Sequence, residues 1–136
     1  MIRAAIICLA LTAPAHAERV AVCDDYGGYL NEYLEQRARW ILDGVGVHFC
    51  GHIASAATAY ISIPNSCTEP DATFGFHAAR MRGGHPDPIG TSMLSDTYPM
   101  PLWRWYWSSG AAWLYSNETL DLTADDLVRM GALEMC

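Results

Sequence analysis

The five cysteines are the feature that most constrains this chain of 136 residues, because their number and setting decide whether disulfides can hold its fold together. Cys8 lies in an apolar run over residues 4–11, which follows Arg3 and is too short to cross a bilayer. The small–x–small tripeptide at 15–17 then matches the pattern that a signal peptidase cleaves. We therefore predict a signal peptide over residues 1–17 and export to the periplasm or the cell exterior. An uncleaved membrane anchor is the alternative, and the shortness of the apolar run disfavours it.

Cleavage would leave residues 18–136, which we interpret as one domain, since a chain of this length can bury a core and contains no linker or repeat. It would keep an even number of cysteines and thus two disulfides, with three possible pairings. The candidates are Cys23, Cys50, Cys67 and Cys136. Alternation along a strand over residues 45–50 places His48 and Cys50 on one face, which suits a Cys50–Cys67 bridge. That bridge would leave Cys23 to pair with Cys136.

The charge balance of the chain restricts its partners. The residues are 51% hydrophobic and 17% charged, which excludes an intrinsically disordered chain. The 8 basic residues, all of them arginine, are outnumbered by 15 acidic ones, and the formal net charge is -7. Nucleic-acid backbones and anionic membrane surfaces repel a chain of this sign. We therefore predict no nucleic-acid partner. After cleavage we also predict no membrane span, because the sequence has no apolar run of the length that spanning requires.

Strand and helix patterns alternate through the first half of the domain. Short apolar segments predict three strands, at 19–23, 45–50 and 73–77. A stripe of apolar residues with helical spacing over 29–43 predicts an amphipathic helix that ends at Gly44, and the small residues of 54–61 predict a closely packed buried helix. Gly51 is expected to break the second strand. The alternation predicts a single α/β domain with a mostly parallel sheet and flanking helices.

Two local features are expected in the second half of the domain. An aromatic helix after the prolines at 99 and 101 would place Trp103 and Trp107 in the core and turn Trp105 elsewhere. Thr123 and Asp126 have the spacing of a capping box, which opens a short last helix.

Three features at the ends of predicted strands could together carry chemistry. The pair Gly27-Gly28 follows the first strand, Ser55 opens the buried helix, and His77 ends the third strand. A glycine pair lets the backbone approach a substrate, and a helix N-terminus offers free N–H groups to a developing oxyanion. A histidine beside a serine can take its proton. Each feature alone is typical of ordinary structure: a turn, a packed helix or a structural histidine.

The order of these motifs resembles a known family. A strand, the glycine pair and a helix come first, followed by G-x-x-x-S-A at 51–56, P-N-S at 64–66 and G-F-H at 75–77. This order resembles the proteolytic subunit of the Clp protease and its crotonase-like relatives, and in particular small exported bacterial proteins of that superfamily. The resemblance covers residues 20–77 and continues weakly through LTADDLVRMG near the end of the chain.

The resemblance implies roles for individual residues. Ser55 would be the nucleophile and His77 the base, and the oxyanion hole would be formed by Gly27, Gly28 and Ala56. The third member of the triad would fall near position 119, so that Asp121, two residues on and on the same face of a strand, is the predicted partner of the histidine. The residues before the glycine pair, Asp-Tyr, depart from the Ser-Pro of the family.

A metal site is the alternative use of the cysteines. His48, Cys50, His52 and Cys67 offer the ligand types of a zinc site. Their spacing is not that of a familiar zinc motif, and export favours oxidised cysteines. We therefore predict disulfides and neither a metal nor another cofactor.

The motifs together predict an exported serine hydrolase, peptidase-like, that acts on a peptide or a small acyl substrate through a Ser/His dyad or triad. The alternative is a non-catalytic exported binding or assembly module on the same fold. The altered glycine motif and the uncertain third residue favour this alternative. The resemblance also implies self-association into a homo-oligomer.

Overall fold

The computed structural model describes residues 17–136, so that the predicted signal peptide lies outside the described residues except for Ala17. The described chain forms six strands, β1 to β6, at Arg19–Asp25, Gly46–Ala54, Cys67–Thr68, Thr73–Phe76, Leu120–Thr123 and Glu134–Met135. Four α-helices, α1 to α4, cover Leu30–Asp43, Pro88–Ser95, Met100–Ser108 and Ala124–Arg129, and 3₁₀ helices cover Ser55–Ser62 and Ala111–Trp113. Within residues 17–136, no helix combines the length and the apolar character that crossing a bilayer requires.

The strands form one curled, mostly parallel sheet around β2. β1 runs parallel to β2 along one edge. On the other edge, β3 pairs with residues 48–49 of β2 and β4 pairs with residues 52–54. β6 is parallel to β3, whereas β5 is antiparallel to β4. Together with the helices, this sheet confirms the predicted α/β class and its mostly parallel character.

Local signals set the ends of two helices as predicted. Gly44 takes the left-handed conformation, with φ 69°, and its N–H donates to the carbonyl oxygens at the end of α1. Thr123 and Asp126 form a capping box at the start of α4, in which each side chain accepts the backbone N–H of the other residue. The small residues after β2 are buried as predicted, but they form a 3₁₀ helix rather than an α-helix.

β2 does not end at Gly51, so the predicted break was wrong. Gly51 has a φ of +67°, and the Asp24 carboxylate from β1 fills the space that a side chain at Gly51 would need. Asp24 Oδ1 accepts the N–H of His52 at 3.0 Å. The Asp24 carboxylate thus fills the space beside Gly51 and binds the backbone of the next residue, which keeps β2 in place on β1. β2 therefore continues to Ala54.

The core is formed by the central strands and α3. Phe49 and Phe74, from β2 and β4, are fully buried and meet edge to face with ring centroids 5.5 Å apart. Leu102 and Tyr106, four residues apart on α3, are also fully buried. Leu102 and Tyr106 therefore define the face of α3 that packs on the sheet.

The aromatic residues of α3 are oriented differently from the prediction. Trp105 packs on Phe76 at 5.2 Å between ring centroids, whereas Trp103 is 37% exposed. Trp105 follows Leu102 by three residues, so it lies beside the buried face, and Trp103 lies next to that face on the solvent side. Trp107 is partly buried against the core, in agreement with the prediction.

Two disulfides are present, but the favoured pairing was wrong. Cys23 is bonded to Cys50 and Cys67 to Cys136. Cys23 lies directly opposite Cys50 in the parallel β1–β2 pair, with Cα atoms 4.5 Å apart. The register of β3 places Cys67 opposite His48, two residues from Cys50, and β6 brings the C-terminal cysteine to β3. The two bonds are typical of an oxidising, extracytoplasmic compartment.

Candidate active site

Ser55 lies at a strained turn between β2 and the 3₁₀ helix. Its φ is +58°, which is unusual for a residue with a side chain and costs about 1–3 kcal/mol. Thr58 Oγ1 stabilises the turn by donating to the Ser55 carbonyl at 2.6 Å, and it lies 2.7 Å from the buried hydroxyl of Tyr98. A sharp turn between a strand and a helix is one way in which enzymes expose a nucleophilic serine.

His77 follows β4 at the same end of the sheet as Ser55, where β2 and β4 end. Ala54 and Gly75 are register partners in the parallel β2–β4 pair, so the residues that follow them extend from the same end of the sheet. The carbonyl oxygen of His77 accepts the Tyr106 hydroxyl at 2.9 Å. This hydrogen bond attaches the end of β4 to α3 and fixes the backbone that carries the imidazole.

The imidazole of His77 is held in one tautomer. Nδ1 lies 2.7 Å from the carbonyl oxygen of Ala78, and because a carbonyl only accepts, Nδ1 carries the proton and Nε2 keeps a lone pair. Burial, together with the positive charge of Arg80, lowers the pKa of His77 below its usual 6.5, while the hydrogen bond to Ala78 acts in the opposite direction. At neutral pH the imidazole is therefore neutral and can accept a proton at Nε2.

The N–H of Gly27 is already used by a neighbouring carboxylate. Asp25 Oδ1 accepts this N–H at 2.9 Å and the Tyr33 hydroxyl at 2.7 Å. Burial, followed by the Asp25 carboxylate, raises the pKa of Tyr33, so that its hydroxyl stays protonated and donates. In this structure the Gly27 N–H is therefore not free for an oxyanion, and the role of Gly27 as an oxyanion donor stays a prediction. Asp25, from the Asp-Tyr that precedes the glycine pair, therefore holds the glycine loop.

Gly27 keeps the space above the serine open. A Cβ on Gly27, whose φ is +82°, would stand 2.7 Å from Ser55 Cβ and 2.9 Å from the Ala56 nitrogen. Both distances are shorter than real Cβ contacts. Gly27 thus allows the glycine loop to approach Ser55 and Ala56, and the N–H groups of Gly28 and Ala56 remain as predicted oxyanion donors.

Two cavities meet at the predicted catalytic residues. Both are lined by Gly28, Ser55, His77 and Arg80. The first has a volume of about 500 Å³, includes Ala56 and has an apolar wall formed by Met81, Ile89, Met93 and Leu94. The second, of about 390 Å³, includes Gly27 and is lined by the polar side chains of His52, Asn117 and Thr119. Their volumes are those of small-molecule sites.

Ser55 and His77 share these cavities without a hydrogen bond between them. Among the described residues, the polar partner of the imidazole is the Ala78 carbonyl, and the Ser55 hydroxyl has none. Hydrogen bonds between catalytic groups are often long in the absence of substrate and shorten in the complex.

Asp121 does not hold the imidazole in this structure. It lies on β5 opposite Gly75, and its carboxylate accepts the Thr119 hydroxyl at 2.5 Å. Within residues 17–136, its hydrogen-bond partner is thus Thr119, and the Ala78 carbonyl occupies the position on His77 Nδ1 that Asp121 was predicted to take.

The four residues of the alternative zinc site each form a bond or hydrogen bond with another group. Cys50 and Cys67 belong to different disulfides. His48 Nε2 lies 2.9 Å from a carboxylate oxygen of Glu69, and His52 Nδ1 lies 2.8 Å from Thr73 Oγ1. In the part of the chain that the structure describes, the one group of potential ligands joins His48 to the sulfurs of the Cys67–Cys136 disulfide, which are not thiolates. In this structure the four residues are therefore not arranged as a zinc site.

Sequence reasoning missed two residues of the site. Asp25 lies two residues before Gly27, the spacing at which an aspartate side chain accepts the second N–H downstream, so the sequence does contain a signal for this contact. Arg80 carried no sequence signal, because its place at both cavities depends on the loop that follows β4.

A scan against models of known protein families matched none of them, and a search of curated proteins found no match either.

Proposed function

We propose that the chain is an exported serine hydrolase of the peptidase-like type, with Ser55 as nucleophile and His77 as base. The observation that carries the proposal is the meeting of Gly28, Ser55 and His77 at the junction of two cavities. The sequence motifs alone predict these residues, and they lie on three different segments of the fold. The strained turn at Ser55 supports the same conclusion, since such strain concentrates at active sites.

The proposed reaction uses these groups in turn. The Ser55 hydroxyl attacks the carbonyl carbon of a peptide or small acyl substrate while His77 Nε2 takes the hydroxyl proton. The N–H groups of Gly28 and Ala56 stabilise the negative charge that develops on the carbonyl oxygen. The histidine then gives the proton to the leaving group as the bond to the carbonyl carbon breaks. Water attacks the resulting acyl-serine, with His77 again acting as the base, and restores the hydroxyl.

A neutral carbonyl replaces the third catalytic group in this proposal. The Ala78 oxygen fixes the tautomer of His77, which is one of the two functions of a triad carboxylate. It does not supply the negative charge that would stabilise the imidazolium formed during attack. We therefore expect slow turnover compared with an enzyme that has a full triad.

The proposed fold is that of the Clp/crotonase superfamily. Its support is the order of the glycine pair, serine and histidine, together with a curled and mostly parallel sheet. Self-association into a homo-oligomer belongs to the same proposal, and light scattering of the purified protein tests it.

A non-catalytic binding module is the second candidate. The observation that favours it is the lack of a hydrogen bond between the Ser55 hydroxyl and the imidazole of His77 in the described part of the chain. A binding module would use the same cavities and would leave Ser55 unreactive.

Covalent labelling separates the two candidates. The protein, purified from the periplasm of an expression host so that its disulfides form, is treated with an uncharged fluorophosphonate probe and digested for mass spectrometry. We expect labelling at Ser55 that disappears in Ser55→Ala and falls sharply in His77→Gln. Ser108→Ala, at an exposed serine on α3, is the matched control and should label like the wild type. An unlabelled Ser55 in the wild type would favour the binding module.

A further inference from the structure

Arg80 occupies a distinctive position beside the proposed catalytic groups. It follows His77 by three residues, forms a short antiparallel bridge with Pro86 and lines both cavities. Its Nη2 donates to Asn117 Oδ1 at 2.7 Å. Asn117 lines the second cavity, so the contact directs the guanidinium along the polar wall of that cavity.

No carboxylate of residues 17–136 forms an ion pair with this guanidinium. In the described part of the chain, the ion pairs are His48–Glu69 and Arg129–Asp126. Asp87 lines the first cavity, but its carboxylate caps α2 by accepting the Gly90 N–H at 2.9 Å. In a chain with 15 acidic and 8 basic residues, a guanidinium without a carboxylate partner at a cleft is available to a ligand.

The nearby Arg82 differs from Arg80 in this respect. It lies over the Tyr29 ring at 5.7 Å and donates to the Tyr29 hydroxyl at 3.3 Å. Arg82 is absent from the lining of both cavities among the described residues. It therefore offers a control of equal charge, two residues away on the same loop.

The two cavities differ in the chemistry that they accept. The first presents Met81, Ile89 and Met93, which suit an apolar group. The second presents amide, hydroxyl and imidazole groups together with Arg80, which suit a polar and negatively charged group. Because Ser55 and His77 lie where the cavities meet, a substrate bound in both would place its central bond at the serine.

We propose that Arg80 binds the free carboxylate of an amino-acid leaving group, and that the substrates are amides with an apolar acyl part and a C-terminal amino acid. This inference rests on the proposed hydrolase function for the cleavage step. Attack by Ser55 forms an ester with the apolar acyl group, the amide C–N bond breaks, and His77 delivers the proton to the amine of the departing amino acid. Water then hydrolyses the ester and releases the acid.

Binding to the Ser55→Ala variant tests the role of Arg80 without cleavage. The probes are N-benzoyl-Leu-Ala with a free carboxylate and the same peptide as its C-terminal carboxamide, and calorimetry measures both affinities. We expect the acid to bind at least about tenfold more tightly, which is the effect of one hydrogen bond to a charged group. Arg80→Gln in the same background should remove the difference, Arg80→Lys should keep part of it, and Arg82→Gln should keep all of it.

The outcomes separate this inference from the proposed function. Equal affinities for acid and carboxamide, or a preference that survives Arg80→Gln, would overturn the role of Arg80 even where the wild type labels at Ser55. A preference that depends on Arg80, in a protein whose Ser55 does not label, would establish a carboxylate site and remove the hydrolase. Release of alanine from the free acid by the wild type would support the hydrolase. Loss of the preference for the acid over the carboxamide in Arg80→Gln would support the role of Arg80. Urea unfolding of each variant verifies that the fold is intact.

Discussion

Replacing Gly27 with alanine perturbs the site where two segments of the chain approach most closely. The added Cβ would lie 2.7 Å from Ser55 Cβ, 2.9 Å from the Ala56 nitrogen and 3.0 Å from the Ala54 carbonyl oxygen. These neighbours are backbone atoms or Cβ, so no flexible side chain can move aside. The glycine loop must therefore shift away from the serine.

The structure sets the expected magnitude of this change. A side chain at the observed φ of +82° costs about 1–2 kcal/mol, and overpacking against rigid neighbours costs about 1–3 kcal/mol more. We therefore expect the free energy of unfolding to fall by about 2–5 kcal/mol. A displaced loop also moves the Gly28 N–H away from the proposed oxyanion position, and the loss of one such donor lowers the rate of acyl transfer about 10²- to 10³-fold.

Gly44→Ala provides a matched control. Gly44 also has a positive φ, of +69°, but a Cβ there would meet no atom of the other described residues within 4 Å, apart from its immediate chain neighbours. This variant should lose only the conformational part, about 1–2 kcal/mol, and label at Ser55 at the wild-type rate. Urea unfolding gives the two stabilities, and the rate of fluorophosphonate labelling gives the reactivities. The reasoning would be refuted if Gly27→Ala labelled as fast as Gly44→Ala, or if the two variants were equally stable.

Three further predictions concern the catalytic histidine, the strand after it and the disulfides. Protonation of His77 blocks Nε2, and the pKa of His77 is lowered. The rate of Ser55 labelling should therefore be retained above that pKa and fall as the pH drops through a midpoint below 6.5. A midpoint above 6.5 would contradict the assignment of this pH dependence to His77. Asp121→Asn should change the labelling rate by less than about threefold, whereas loss of a true triad carboxylate lowers activity by orders of magnitude. Removing Cys67–Cys136, which closes a span of 69 residues, should destabilise the fold by about 4.4 kcal/mol, against about 3.6 kcal/mol for the 27 residues of Cys23–Cys50. Urea unfolding of the double serine variants measures both losses, and a Cys50–Cys67 peptide in a non-reducing digest would contradict the pairing.

Sequence by itself determined the features that depend on residues close together in the chain. The end of α1 at Gly44 and the capping box of Thr123 and Asp126 use contacts within four residues, which a local pattern contains in full. The alternation of strands and helices determined the mostly parallel sheet, because a parallel pair needs a crossover. It also placed Ser55 and His77 after strands, and the carboxyl ends of parallel strands share one edge.

Tertiary structure alone decided the features that depend on register between distant segments. The pairing of Cys23 with Cys50 follows from the alignment of β1 with β2. A shift of two residues between β2 and β3 would instead place Cys67 opposite Cys50. The same alignment brings Asp24 to Gly51 and carries β2 onward to Ser55. The approach of Arg80 to both cavities depends on how the loop after β4 folds over the sheet. These contacts join residues on different segments, and their free energy depends on packing and register that no local pattern contains.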